Sequence, residues 1–281
     1  MKTVSESKVH GGIQGVYSHE SSETRCDMTF AVFVPPQAAS APCPVLWYLS
    51  GLTCTHQNVM DKGEYRRAAA QLGLVIVCPD TSPRGEDIAD EKDDWKIGTG
   101  AGFYVDATEE PWAANYRMYS YITDELPKLV AGKFPVDMDR QAIFGHSMGG
   151  HGALNIALNN PDRFRSCSAF APIVSPSTAD WASNAFATYL GGDQSAWRAY
   201  DACALVEDGK RFDEFLIDQG DADQFLDDGL RPWLFEDACR KSGIALTLRM
   251  QPGYDHSYNF ISTFMEDHLR WHAKRLGAQI T

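Results

Sequence analysis

No stretch of this chain approaches the roughly 18 consecutive apolar residues of a membrane-spanning helix, so no membrane partner is expected. The first seven residues, Met1-Lys2-Thr3-Val4-Ser5-Glu6-Ser7, lack the apolar core of a secretory signal. Cysteine is present but unpatterned. Cys26, Cys43, Cys54, Cys78, Cys167, Cys203 and Cys239 are scattered, odd in number and contain no C-x-x-C pair. They read as reduced thiols with no structural zinc site, and the expected location is cytoplasmic. Basic charge is scarce as well: 25 Lys and Arg stand against 38 Asp and Glu, a net charge of −13. That balance argues against nucleic acid as a partner. An anionic substrate would have to be held by local lysines, arginines or helix ends, not by the net field. Internal repeats, low-complexity tracts and long linkers are missing too.

What is present suits a large core. Hydrophobic residues make up 44% of the 281 and charged residues 22%, which rules out global disorder. Residues 11–19 and 27–34 read as early strands, followed by the apolar run 44–49, a helix over 60–72 and a buried strand over 74–78. A helix is predicted over 114–132, a strand over 140–144, a helix over 148–159 and a strand over 166–170. Residues 172–212 are mixed helix and loop. A strand over 213–217, a helix over 230–242, a strand over 244–250 and a last helix over 257–276 complete the chain. This β-α alternation with continuous apolar strands predicts a mostly parallel central sheet flanked by helices on both faces. Reactive groups in such sheets gather at the carboxyl ends of the strands, here 145–147, 218–223 and 251–256.

One segment decides the chemistry. Gly145-His146-Ser147-Met148-Gly149 lies between the apolar run Ala142-Ile143-Phe144 and a helix-like stretch. A serine flanked by glycines at a strand-to-helix turn is the nucleophile elbow of the α/β-hydrolase fold, and the whole chain, 1–281, is expected to form a single such domain. The glycines relieve clashes at a turn tight enough to strain the serine. A serine hydroxyl needs a base, and the base needs an orienting acid, in the chain order Ser, acid, His. His256 follows the 244–250 strand and precedes a helix, which suits the base. His146 and His151 are too near Ser147 in sequence and read as packing or lining residues. His268 and His272, four apart on the last helix, read as part of a solvated face. The acid must come from Asp218, Asp221 or Asp223, which spacing alone does not separate. The oxyanion donors are expected to be the N–H of Met148 and, in the loop 50–55, the N–H of Leu52. Trp95, Trp181, Phe103 and Tyr104 are candidate aromatic walls.

At these residues the chain resembles the S-formylglutathione hydrolase (esterase D) family. The matching segments are Ser50-Gly51-Leu52-Thr53-Cys54-Thr55, residues 98–108 (Gly98-Thr99-Gly100-Ala101-Gly102-Phe103-Tyr104-Val105-Asp106-Ala107-Thr108), residues 145–154 with the elbow, Tyr189-Leu190-Gly191-Gly192-Asp193-Gln194-Ser195, Ile217-Asp218-Gln219-Gly220 and Gly253-Tyr254-Asp255-His256-Ser257-Tyr258. The resemblance implies Ser147 as nucleophile, His256 as base, Leu52 and Met148 as oxyanion donors and Asp223 as acid. It places Cys54 beside the active site. It also implies hydrolysis of a small-molecule glutathione thioester, S-formylglutathione, to formate and glutathione through a formyl-enzyme. That reaction is a step of formaldehyde detoxification and needs no cofactor or metal. A homodimer follows by analogy. The alternatives are a promiscuous short-chain carboxylesterase, a hydrolase-fold binding protein without catalysis, and acyl transfer to an acceptor other than water. Two local departures from the family pattern, the charged segment 90–96 and Asp221 in place of a lysine, add negative charge near the expected mouth. Lys62 and Lys96 are the lysines considered for the carboxylates of glutathione.

Overall fold

The computed structural model describes residues 1–278. The first three strands are β1 (Lys2–Val9), β2 (Gly12–Glu20) and β3 (Asp27–Val34). They form an antiparallel meander. Then come β4 (Cys43–Leu49), β5 (Val75–Pro79), β6 (Val136–His146), β7 (Phe164–Phe170), β8 (Glu214–Gly220) and β9 (Ala245–Gln251). All belong to one sheet of order β1-β2-β3-β5-β4-β6-β7-β8-β9. From β5 to β9 every pairing is parallel. Every residue of β4 and β5 is buried, as parallel strands covered on both faces must be.

The helices are α1 (His56–Lys62), α2 (Arg66–Leu72), α3 (Met118–Ser120), α4 (Leu126–Lys133), α5 (Met148–Asn159), α6 (Asp180–Leu190), α7 (Gln194–Trp197), α8 (Ala202–Glu207), α9 (Pro232–Ser242) and α10 (Tyr258–Leu276). Neighbouring residues of β7 show the two layers. Phe170 stacks on His268 of α10 at 3.8 Å between ring centroids. Ala169, next in the strand, points its Cβ toward Gly150 of α5. Thus α10 packs on one face with α1 and α2, while α5, α8 and α9 lie on the other. This is the mostly parallel, doubly covered sheet expected from the alternation, and the α/β-hydrolase arrangement expected from the elbow.

Several elements differ from the sequence reading. β1 was not anticipated, because its residues are nearly all exposed and only its ladder with β2 defines it. The helix expected over 60–72 is two helices. Thr55 opens α1, accepting the Gln57 N–H at 3.1 Å, while its own N–H donates to Asn58 Oδ1 at 2.9 Å. Gly63 and the positive φ of Glu64 then break the chain before α2. The helix expected over 114–132 is irregular. Pro127 has no N–H for the Thr123 carbonyl, which instead accepts Arg163 Nη1 at 2.5 Å.

His268 and His272 correct the expectation of a solvated face: both are completely buried. β7 turns Ser166 and Ser168 toward α10, so the imidazoles find partners inside the core. His272 Nδ1 lies 2.7 Å from Ser166 Oγ and its Nε2 2.7 Å from Ser168 Oγ. Ser168 Oγ is 2.8 Å from His268 Nδ1, and His268 Nε2 is 3.1 Å from Asp218 Oδ2. The ionised Asp218 sets the direction of the whole chain. His268 must donate from Nε2, so its Nδ1 accepts from Ser168. Ser168 then accepts from His272 Nε2, and His272 Nδ1 accepts from Ser166. Burial alone would raise the Asp218 carboxyl, but its bonds from His268 and Arg249 more than offset this and hold it at about 2.

Two outcomes follow for stability. Burial lowers His268 and carries His272 well below its ordinary value, so both stay neutral in the fold. The unfolded chain takes up protons near the ordinary imidazole value of about 6.5, and the folded chain does not. The stabilisation is complete above that value and lost as pH falls. Melting temperatures from pH 8 to 5 should therefore fall most steeply below about pH 6.5. A His268→Gln/His272→Gln variant should show a shallower slope, while slopes equal to wild type would clear these histidines of responsibility. Ser168→Ala leaves one buried nitrogen on each imidazole unpaired, at about 1–3 kcal/mol per orphaned group, measurable by urea unfolding.

Candidate active site

Ser147 is the residue between β6 and α5, and its backbone is strained, with φ 57° and ψ −118°. Strain of this kind costs about 1–3 kcal/mol and persists only where neighbours enforce it. Here the Ser147 N–H donates to the Phe170 carbonyl at 3.0 Å, and its carbonyl accepts the N–H groups of His151 at 3.0 Å and Ile173 at 3.3 Å. The flanking glycines permit the approach. A Cβ on Gly145 would sit 2.2 Å from the Gly149 carbonyl oxygen, and one on Gly149 only 2.0 Å from that of Leu49.

The structure separates the three aspartates of the β8 end. Asp218 is taken by Arg249, with Nε at 2.6 Å and Nη2 at 2.5 Å, and by His268. Asp221 accepts the Gly253 N–H at 2.7 Å, a turn contact. Asp223 is buried, and its Oδ2 lies 2.5 Å from His256 Nδ1. Its Oδ1 accepts the Phe225 N–H at 2.8 Å, and Gln219 Nε2 lies 3.2 Å from Oδ2.

Ser147 and His256 line one cavity of about 210 Å³. Gly51, Leu52 and Thr53 form part of its wall, and Trp95, Trp181 and Phe225 supply an aromatic side. The Leu52 N–H meets no acceptor among the described residues. Met148 opens α5, where a helix leaves its N–H groups without intrahelical acceptors. His146 also lines the cavity, its ring 4.5 Å from that of His256. Burial, then the neighbouring His256, drives His146 well below the usual imidazole range. His151 is a packing residue: its Nε2 lies 2.8 Å from the Phe103 carbonyl oxygen, and burial takes it down to about 4.

Other expectations fare differently. Phe103 and Tyr104 are wholly buried and line no part of the cavity, which corrects their reading as walls. Tyr104 instead braces the loop 50–55, donating to the Ser50 carbonyl at 2.9 Å. Cys54 is half-buried, lies outside the cavity wall, and has its thiol pushed up by burial. Lys62 and Lys96 do not line the cavity either, and Lys96 Nζ pairs with Asp94 at 2.8 Å. Phe225 is the wall residue that sequence reasoning passed over. Its position two residues beyond Asp223 was the available signal. A larger cavity of about 490 Å³ holds Ser175, Cys203 and Arg231 but no histidine, so chemistry and not size singles out the smaller one.

Comparison with known proteins shows the family to which this chain belongs. The family model described as "Putative esterase" matches residues 21–271. The S-formylglutathione hydrolase of Mus musculus is 56% identical over 281 residues, covering 99% of both chains. That of Paracoccus denitrificans is 54% identical over 276 residues, covering 98% of each. The solved structure of an S-formylglutathione hydrolase from Agrobacterium tumefaciens superposes with a TM-score of 0.98 at 67% identity, over 99% of this chain and 100% of that one. With an elbow, a buried carboxylate–histidine pair and this likeness over nearly its full length, the chain belongs to the S-formylglutathione hydrolase family of esterases.

Proposed function

We propose that this chain hydrolyses S-formylglutathione to formate and glutathione, with Ser147, His256 and Asp223 as its catalytic triad. The observation that carries the reading is the 2.5 Å contact between His256 Nδ1 and Asp223 Oδ2, in a histidine that shares a cavity with Ser147. An ionised Asp223 accepts a hydrogen bond from Nδ1–H and so leaves Nε2 as a base. His256 takes the Ser147 proton as Oγ attacks the thioester carbonyl. The N–H groups of Leu52 and Met148 hold the oxyanion, and the N-terminal end of α5 adds its dipole. The C–S bond breaks, and the glutathione thiolate leaves with the proton carried by His256. Water, deprotonated by His256, then attacks the formyl-enzyme. Formate departs and Ser147 recovers its proton.

Cavity size supports a small acyl group. About 210 Å³ is below the 300–1,000 Å³ of most ligand pockets. Trp95, Trp181 and Phe225 form the aromatic side of this small cavity. Family membership supports the thioester as substrate.

Steady-state kcat/KM for S-formylglutathione beside p-nitrophenyl acetate tests the reading. The thioester should be preferred by orders of magnitude. Ser147→Ala should lose at least about 10⁴-fold in kcat, and Asp223→Asn about 10⁴-fold. Equal modest rates on both substrates would reduce the protein to a general esterase. Activity surviving in Ser147→Ala would sink the mechanism. In a series of S-acylglutathiones, kcat/KM should drop by about tenfold or more between formyl and butyryl, and a flat series would contradict the small acyl pocket.

A further inference from the structure

Gln219 is a fully buried amide at the end of β8, between Asp218 and Gly220. Its Nε2 has two acceptors, the Gly220 carbonyl oxygen at 3.1 Å and Asp223 Oδ2 at 3.2 Å. The reversed amide would set its oxygen against both, so the partners fix its orientation. Gln219 Oε1 is buried and has no donor among the described residues. An unpaired acceptor in a core is unfavourable, and an apolar side chain of similar volume would avoid it. What the amide offers in return is its N–H groups, one of which meets the carboxylate that orients His256. Three donors thus converge on Asp223: His256 Nδ1 and Gln219 Nε2 on Oδ2, and the Phe225 N–H on Oδ1.

We propose that Gln219 is a positioning residue for the acid of the triad, holding Asp223 Oδ2 toward His256 and sharing the charge of that oxygen. The proposal rests on the triad reading above. With donors on both oxygens the carboxylate cannot swing away from the histidine. Because Gln219 and His256 use the same oxygen, the amide also limits how strongly Oδ2 favours the imidazolium. The titratable groups that face His256 are Asp223, His146 from the end of β6 and Asp255 beside it in the same loop. Gln219→Met leaves all three in place and removes the amide, whose N–H groups reach Asp223 and the Gly220 carbonyl.

The test is the pH profile of kcat/KM for Gln219→Met, with Asp223→Asn assayed in parallel. Without the amide, Oδ2 serves His256 alone, so the acid limb should move to higher pH by about half a unit or more. In addition, kcat should fall by about tenfold with KM nearly unchanged. The limb decides the matter. An unmoved limb overturns the proposal even if kcat drops, because general loosening of the loop would lower the rate without shifting the titration. Should the Met variant fail to fold, Gln219→Glu probes the same bond. Its carboxyl donates only when protonated, so activity relative to wild type should recover toward low pH, and a constant ratio counts against the role. If Asp223→Asn keeps wild-type activity, the triad reading fails. If it is inactive while Gln219→Met keeps a wild-type profile, only the role of Gln219 fails.

Discussion

The first turn of α5 lies so close to the end of β4 that a methyl group on Gly149 would sit 2.0 Å from the Leu49 carbonyl oxygen. Much of the site depends on this contact. It forces the tight turn that gives Ser147 its positive φ and brings the helix end under the serine. It also joins the elbow to the loop that continues β4, since a Cβ on Gly51 would stand 3.1 Å from the Cβ of Ser147. Two candidate oxyanion donors, Leu52 beyond Gly51 and Met148 beyond Ser147, therefore belong to segments that pack directly on one another. Preorganised donors of this kind stabilise developing charge without rearranging when it appears.

The end of β8 assigns different work to two buried carboxylates in one short segment. Asp218 faces Arg249 and His268, which tie β8 to β9 and α10. Asp223 faces the cavity-lining His256. What distinguishes them is the partner set, not the burial. Asp218 is neutralised by Arg249, whereas the donors to Asp223 are His256 Nδ1, Gln219 Nε2 and the Phe225 N–H. A polar chain through Ser168 then carries the order of Asp218 into the core, where Phe170 stacks on His268 and its carbonyl receives the Ser147 N–H. The elbow is thus braced from the α10 face as well as by α5.

The charged segment 90–96 is largely self-satisfied. Asp90 accepts the N–H groups of Glu91 and Thr99, and Asp94 pairs with Lys96. These bonds shape the loop that presents Trp95 to the cavity. Asp221 likewise spends one oxygen on the Gly253 N–H, in the loop leading to His256. Carboxylates that look like added charge in sequence act here as turn-forming acceptors.

The sequence alone determined the layered plan, because apolar runs such as 44–49 and 74–78 have no stable place outside a covered sheet. It determined the elbow as well, since only glycine tolerates the contacts at 145 and 149. It isolated His256, whose position after the last strand suits a base. Spacing along the chain did not determine which of Asp218, Asp221 and Asp223 meets that histidine, and only the family resemblance implied Asp223. That choice depends on where Arg249, Gly253 and His256 stand relative to the end of β8, which only the packed sheet decides. Nor did helical spacing reveal that His268 and His272 are internal. Their burial depends on Ser166 and Ser168, some hundred positions away in sequence, which turn two costly polar rings into satisfied ones. Phe103 and Tyr104 failed as pocket walls for the complementary reason: a large ring fits either a core or a cavity, and its neighbours in space settle which. Periodicity and strained turns are local and therefore legible along the chain. Partner identity is not local, because it is set by contacts that exist only once the sheet and its two helical layers have closed.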